Sequence, residues 1–230
     1  GDKTTVFVGD NMDGSTLYST ACVYGGITNT LDDCANVNSA LGGGTGTAFG
    51  ASYDIGKGFT AAVGYTGEGS SSKGLLTKEG ADAYGGQVTY TADSYGASLT
   101  YANIESVTST TDSTAVAGQD AAYVALNAYW TPSESGSMPS VSVGYEVGYL
   151  ELAGSKDTSA FFVGLQWEEV GPGTFGAALG TTGHIADEAT EYYMYEAFYS
   201  YPVNDGMTVT PVVYIKEAAD ADETGLMVKT

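Results

Sequence analysis

The chain has 230 residues and is strongly acidic, with 28 Asp and Glu against 7 Lys and a formal net charge of −21 at pH 7. This charge argues against nucleic-acid binding, which needs clustered cations for phosphates, and it suits attraction of cations, although ordinary surface solubilisation explains many acids equally well. Apolar residues make up 43% of the chain, but no apolar run approaches the roughly 18–20 residues of a membrane-spanning helix.

The chain alternates large apolar with small or polar side chains in many short segments. This period of two is the pattern of a β-strand with one apolar face. No segment has a convincing helical repeat, so the sequence predicts an all-β fold. The twelve predicted strands are 3–9, 45–54, 58–66, 84–92, 95–103, 121–131, 140–150, 158–168, 173–181, 191–201, 207–216 and 224–230.

The connections between these strands alternate in length. The short ones are 55–57, 93–94, 132–139, 169–172 and 202–205. The long ones are 10–44, 67–83, 104–120, 182–190 and 217–223, with 151–157 intermediate. An antiparallel up-and-down barrel places all short turns at one rim and all long loops at the other, whereas a Greek-key sandwich has no reason to sort its loops. The alternation therefore predicts a barrel.

Aromatic side chains recur at both ends of the apolar face. At the short-turn ends these are Tyr53, Phe59, Tyr95, Trp130, Trp167, Phe175, Tyr199 and Tyr201. At the long-loop ends they are Tyr84, Tyr101, Tyr149 and Tyr193. Aromatic rings on both sides of an apolar band are favoured at bilayer interfaces. We therefore expect an antiparallel up-and-down transmembrane β-barrel with a small, polar inner face lining a lumen.

Pro211 lies in the middle of one predicted strand. Proline has no N–H to donate, so an interior strand ladder rejects it unless a bulge is present. The sequence therefore predicts a β-bulge at Pro211.

The C-terminal part of the chain resembles a known family. The segment YEAFYSYPVNDGMTVTPVVYIK, followed by DETGLMVKT, is similar to the end of cyanobacterial outer-membrane porins of the carbohydrate-selective (OprB-like) superfamily. FFVGLQWEEVGPGTFGAALG resembles the preceding hairpin, so the likeness covers 158–230 well. TTVFVG, the cysteine-containing loop and LGGGTGTAFGASY resemble the middle of the barrel more loosely.

This resemblance implies a barrel of about sixteen strands, usually a homotrimer in the outer membrane of a Gram-negative-type, here cyanobacterial, cell. The partners would be outer-membrane lipid, small solutes and ions. Family members carry an S-layer-homology tether before the barrel and run on to a terminal aromatic residue. Neither is visible here, so we expect one barrel domain over 1–230, with twelve strands of a larger barrel.

Several charged or polar residues share the parity of the small, polar face. They are Glu146, Gln166, Glu168, Glu196, Lys216 and Lys229. A carboxylate facing lipid costs up to about 2 kcal/mol near the midplane, so Glu146 and Glu196 should face inward. Carboxylates in a pore wall concentrate cations and repel anions. Glu146 and Glu196 are thus the candidate charges for ion selectivity, and Lys216 and Lys229 could partly offset them. The alternative is that the two acids are merely solvated residues of the lumen.

The longest connection, 10–44, is the candidate constriction loop because one long loop folds into the lumen of porins. Its charges are Asp10, Asp13, Asp32 and Asp33, and an outward surface loop is the alternative. Cys22 and Cys34 lie in it without metal-binding or redox-motif spacing. In an extracytoplasmic protein they would form a disulfide; two free thiols are the alternative.

No motif for catalysis, phosphate binding or a metal site is found, and we expect no cofactor and no enzyme activity. The single histidine, His184, lies in a loop and is expected to be solvated. The sequence predicts a general diffusion porin that prefers cations. A surface adhesion protein and a dedicated sugar channel remain as alternatives. The sugar channel would use an aromatic line on the inner face: Tyr123, Tyr129, Phe162, Tyr192 and Phe198.

Overall fold

The computed structural model describes residues 3–28, 46–67, 82–105, 120–132, 137–151 and 154–230. These residues form thirteen strands in one sheet. The strands are β1 (Thr4–Met12), β2 (Gly46–Gly56), β3 (Phe59–Gly67), β4 (Asp82–Thr91), β5 (Tyr95–Glu105), β6 (Asp120–Trp130), β7 (Ser140–Leu150), β8 (Thr158–Val170), β9 (Gly173–Thr181), β10 (Ile185–Ala186), β11 (Tyr193–Asn204), β12 (Met207–Lys216) and β13 (Glu223–Lys229). No helix in the described ranges is long and apolar enough to cross a membrane.

The sheet has the simplest antiparallel topology. Each strand pairs with the next along the chain from β1 to β9, and the order then continues through β11, β12 and β13. The two-residue strand β10 pairs with the start of β8, where Ile185 lies opposite Ser159. The sequential order confirms the up-and-down arrangement that the alternating connections predict.

The two faces of the sheet differ as the alternation predicts. On β7, Val143, Tyr145 and Tyr149 are exposed, whereas Ser142 and Glu146 are buried on the opposite face. The exposed apolar side chains of neighbouring strands share the face of Val143; they include Val63, Val88, Leu99, Leu126 and Val213. We call this the outer face and its opposite the inner face.

Aromatic side chains gather where the outer face meets the short turns. Trp167 and Phe175 pack with ring centroids 5.6 Å apart. Phe59 and Tyr90 lie 4.8 Å apart, and Tyr90 and Tyr95 5.7 Å apart. At the other end, Tyr84, Tyr101 and Tyr149 are exposed on the same face. The apolar band is therefore bordered by aromatic residues at both ends, the arrangement that bilayer interfaces favour.

The twelve predicted strands are all present, with ends shifted by a few residues, and β10 is an addition inside the predicted loop 182–190.

The bulge predicted at Pro211 is wrong. Pro211 lies opposite Val228 in unbroken register with β13. On the other side, the β11–β12 ladder resumes at Tyr201 and Val209 in the same register. Each residue of an antiparallel ladder directs its N–H to one neighbour only, so the missing donor costs one bond and needs no inserted residue.

The outer face gives a direct test of the membrane orientation. Leu126 lies mid-strand on β6 and is 56% exposed. We expect Leu126→Lys to lower the free energy of unfolding in phospholipid vesicles by about 2–4 kcal/mol, the cost of a lysine at the lipid midplane. Leu126→Ala is the matched control and should cost much less. Equal effects of the two variants would contradict a lipid-facing position for Leu126.

Candidate pore wall and inner segment

Residues 13–28, which we call the inner segment, leave β1 and follow the inner face. Asp13 begins it: one carboxylate oxygen accepts hydrogen bonds from Ser15 N at 2.7 Å and Ser15 Oγ at 2.9 Å. The Tyr18 N–H then donates to the Ser15 carbonyl at 2.7 Å. A side chain that bonds the backbone two residues on is a common turn signal for Asp. Asp13 therefore stabilises the turn that directs the chain inward.

The first attachments of the inner segment are to β3 and β4. Gly14 N donates to Thr66 Oγ1 at 2.6 Å. A Cβ atom added at Gly64 would lie 2.0 Å from the Gly14 carbonyl oxygen, so the close approach requires glycine there. Further along, the Gln87 amide accepts from Ser19 N at 2.7 Å and donates to the Ser19 carbonyl at 2.8 Å. A primary amide can pair with both the N–H and the carbonyl of one residue. The Gln87 side chain therefore fixes the position of Ser19 relative to β4.

The middle of the segment is attached to β7 and β8. Ser142 Oγ accepts from Val23 N at 3.0 Å and from Tyr24 N at 3.1 Å. Gln166 Oε1 accepts from Gly25 N at 3.0 Å. Inward side chains of the wall thus supply the acceptors that buried backbone donors need, since the segment has no strand partner of its own.

Glu196 on β11 makes the strongest attachment. It is 3% exposed, and three donors of the inner segment converge on its carboxylate. They are Tyr24 Oη at 2.9 Å, Ile27 N at 3.0 Å and Thr28 N at 2.7 Å. Burial first, and the charge of Glu196 second, raise the pKa of the Tyr24 hydroxyl, which therefore stays a donor. Several hydrogen bonds to the charged form stabilise a buried carboxylate without a cation.

The Tyr24 ring fills an apolar cluster inside the barrel wall. It is 1% exposed, with its ring centroid 5.6 Å from that of Phe162 and 5.8 Å from that of Phe198. A Cβ added at Gly164 would lie 2.7 Å from Tyr24 Cγ, so this glycine makes room for the ring. Cys22 and Ile27 pack against the same cluster. The segment is therefore held by apolar packing as well as by hydrogen bonds.

Glu146, the other mid-strand acid, has a different partner. Its side chain is fully buried, and its Oε1 contacts Nε2 of His184, whose side chain is 25% exposed. The rings of His184 and Tyr123 also pack edge to face, with centroids 5.3 Å apart. The expectation of a simply solvated His184 is therefore not met, because the loop that carries it turns onto the inner face.

The other sequence-predicted residues are spread along the wall. Glu168, near the short-turn rim, is exposed and accepts from Gln166 Nε2 at 2.6 Å and from Thr174 Oγ1 at 2.7 Å. Lys216 lines an inner pocket with Thr28 and Glu223. Lys229 is exposed and lies opposite the inward-facing Thr210.

The predicted loop acids are only partly in the described ranges. Asp10 is on strand β1 and accepts from Thr47 Oγ1 at 3.3 Å, so its assignment to a loop is wrong; β1 runs three residues further than predicted. Asp32, Asp33 and Cys34 lie outside the described residues, and the Cys22–Cys34 disulfide stays a prediction. Where the structure is described, no three His, Cys, Asp or Glu side chains are grouped to hold a metal ion.

Sequence reasoning missed the residues that hold the inner segment. Ser142 and Gln87 look like ordinary small or polar inward positions, and Tyr24 looks like a loop residue. A signal was present: Ala21 to Tyr24 is an apolar cluster within an otherwise Gly-, Ser- and Thr-rich stretch. Apolar residues clustered in a long polar loop indicate that the loop packs against something.

Comparison with known proteins agrees with this architecture. A family model described as Gram-negative porin matches residues 1–217, and no curated protein sequence matches the chain. An anion-selective porin from Comamonas acidovorans has a similar structure, with a TM-score of 0.67 and 16% identity over 99% of this chain and 74% of that one. The outer-membrane expressed OmpT of Vibrio cholerae has a TM-score of 0.63 and 12% identity over 94% of this chain and 67% of that one.

Both identities are low, so these structures establish the fold alone: an antiparallel transmembrane β-barrel of the outer-membrane type. The family match covers far more than half of the sequence. The chain belongs to the Gram-negative porin family.

Proposed function

We propose that this protein is a general diffusion porin that passes small hydrophilic solutes and inorganic ions passively and prefers cations. The observation that carries the proposal is the inner segment, which is bonded to β3, β4, β7, β8 and β11. A chain laid along the inner wall narrows a lumen, and narrowing sets the size limit of a diffusion pore. Passage through such a pore needs no chemical step, so the protein is proposed not to be an enzyme.

The proposed cation preference rests on overall charge and on acids that stay exposed. The chain carries −21 formally, and Glu168 and Glu223 are exposed on or beside the inner face. Glu146 and Glu196 are buried and bonded to other groups, so their proposed role as wall charges is a contribution to the potential rather than direct contact with ions. The porin from Comamonas acidovorans is named anion-selective, which is the opposite of the cation preference proposed for this chain.

The dedicated sugar channel has less support. Its aromatic line requires exposed ring faces, but Phe162 is 0% and Phe198 4% exposed, and both pack against Tyr24. An adhesion protein would cover its apolar face with a second sheet, whereas the described strands all belong to one sheet. General diffusion therefore remains the preferred function.

Several finer properties also remain proposals. A homotrimer, the OprB-like assignment, carbohydrate transport and a cyanobacterial source are proposed only from the resemblance of the C-terminal segments quoted above. The treatment of 1–230 as one porin domain, and the disulfide between Cys22 and Cys34, rest on sequence reasoning. Outer-membrane lipid, small solutes and ions are the proposed partners, and neither cofactor nor nucleic acid is part of the proposal.

The test is single-channel recording of detergent-purified protein in a planar bilayer under a KCl gradient. We expect ohmic current steps and a reversal potential on the cation-selective side, because the chain carries a formal net charge of −21. Absence of steps from folded protein would contradict the porin function. Steps without ion preference would retain the pore and contradict the proposed role of its carboxylates.

A further inference from the structure

A buried carboxylate on the barrel wall faces a group that can change its charge. Glu146 is fully buried on β7, and the nitrogen that contacts it belongs to His184, the one histidine of the chain. Histidine is the side chain whose ordinary charge change falls between pH 5 and 8. The net charge of this pair therefore depends on one proton: zero with a protonated imidazole and −1 with a neutral one.

The backbone holds His184 in this place. β9 ends at Thr181, and β10 resumes pairing with β8 at Ile185. The residues between them leave the sheet as a short bulge, and Gly183 there has φ of +145°, a backbone conformation that L side chains rarely adopt. Across the sheet, Glu146 lies opposite Ala160 of β8, whose small side chain leaves space between β7 and the bulge. The pairing of β7, β8 and β10 therefore positions the backbones that carry Glu146 and His184 so that their side chains are in contact.

Other ionisable groups near the pair are few in the described structure. β6 contributes Tyr123, whose ring lies against His184. β8 contributes no ionisable side chain at Thr158–Ala160. Asp187, Glu188 and Glu191 follow His184 in sequence but line a pocket with Phe161, an outer-face residue, and Glu188 is paired with Lys156.

We propose that His184 is a selectivity-determining residue of the pore, which masks the charge of Glu146 when protonated and unmasks it when neutral. This inference rests on the proposed ion-conducting function. Opposite charges in contact cancel at a distance, so the wall near β7 is less attractive to cations below the titration of His184 than above it. Replacing His184 abolishes this pH dependence of cation attraction, whereas it would leave a pH dependence caused by protonation of lumen acids unchanged.

The test compares wild type with His184→Gln, Glu146→Gln and the double variant in planar bilayers. Glutamine places an amide donor near the position of Nε2 but does not titrate. We expect His184→Gln to raise the K⁺/Cl⁻ permeability ratio about twofold at pH 5, the order expected for one partly screened wall charge. At pH 8.5 the ratio should equal that of wild type. His184→Gln should have no such effect in the Glu146→Gln background.

A second readout is independent of conduction. Because the chain has a single histidine, NMR of ¹³C-labelled histidine in detergent micelles reports only His184. The Glu146 carboxylate contacts the ring directly, so Glu146→Gln should change the ¹³C chemical shifts of His184. Unchanged His184 chemical shifts, or equal permeability ratios for wild type and His184→Gln at pH 5, would overturn the inference while leaving the porin function intact. Loss of all current steps from folded wild type would instead contradict the proposed function.

Discussion

Replacing Glu196 with alanine is expected to detach the C-terminal half of the inner segment from the wall and to raise single-channel conductance. The carboxylate accepts from Tyr24 Oη, Ile27 N and Thr28 N at 2.7–3.0 Å. A donor left without a partner costs roughly 1–3 kcal/mol, with lumen water reducing this toward the lower end. A segment freed from β11 obstructs the lumen less, so the current steps should become larger and more variable.

A control variant distinguishes loss of the Glu196 hydrogen bonds from loss of its negative charge. Glu223→Gln also removes an acid near the inner face, but within the described residues Glu223 accepts only from the Tyr214 hydroxyl, at 3.1 Å. We expect it to leave step size unchanged and to alter the reversal potential alone. Wild-type step size in Glu196→Ala would show that the segment is held elsewhere, and an equal rise in Glu223→Gln would assign the effect to charge.

The sheet could be predicted because its signals are local. The alternation along β7 and the aromatic residues near strand ends report which medium each side chain meets, and the connection lengths report the order of strands. None of these needs knowledge of contacts between distant residues. The error at Pro211 came from treating one missing donor as an inserted residue, although a single N–H can be lost while the register is kept.

The functions of the inward acids could not be predicted in the same way. Parity places Glu146 and Glu196 on the inner face, but it does not show what meets them there. Glu196 bonds to a segment 168 to 172 residues earlier in the chain, and Glu146 bonds to a bulge 38 residues later. Which loop turns inward is decided by packing of the whole barrel. Two residues with the same sequence pattern therefore differ in role: Glu196 anchors the inner segment, and Glu146 contacts His184.

Burial of Glu146 and Glu196 limits how strongly they can affect selectivity. A buried carboxylate needs bonds that compensate for its lost hydration, and those bonds reduce its influence on passing ions. Exposed acids such as Glu168 keep their hydration and face solvent directly. Selectivity in this barrel should therefore respond more to exposed rim acids than to the buried Glu146 and its partner His184, while pore size should respond most to Glu196 and to the residue that contacts it, Tyr24.

Tyr24→Ala is expected to have the second large effect, because the ring supplies the apolar part of the attachment. Removal of a buried aromatic side chain typically costs about 3–5 kcal/mol, and the cavity would lie between Phe162 and Phe198. The inner segment should then leave the wall near β8 and β11. We expect larger current steps and faster proteolysis within residues 13–28, with the strands still protected.

Tyr24→Phe is the matched control, since it keeps the ring and removes only the hydroxyl that donates to Glu196 at 2.9 Å. A hydrogen bond to a charged group contributes about 1.5–3 kcal/mol, and Ile27 N and Thr28 N remain on the carboxylate. The phenylalanine variant should therefore conduct nearly as wild type. If it matched Tyr24→Ala, the hydroxyl bond would be the main attachment; if neither variant changed conductance, the inner segment would not set the width of the pore.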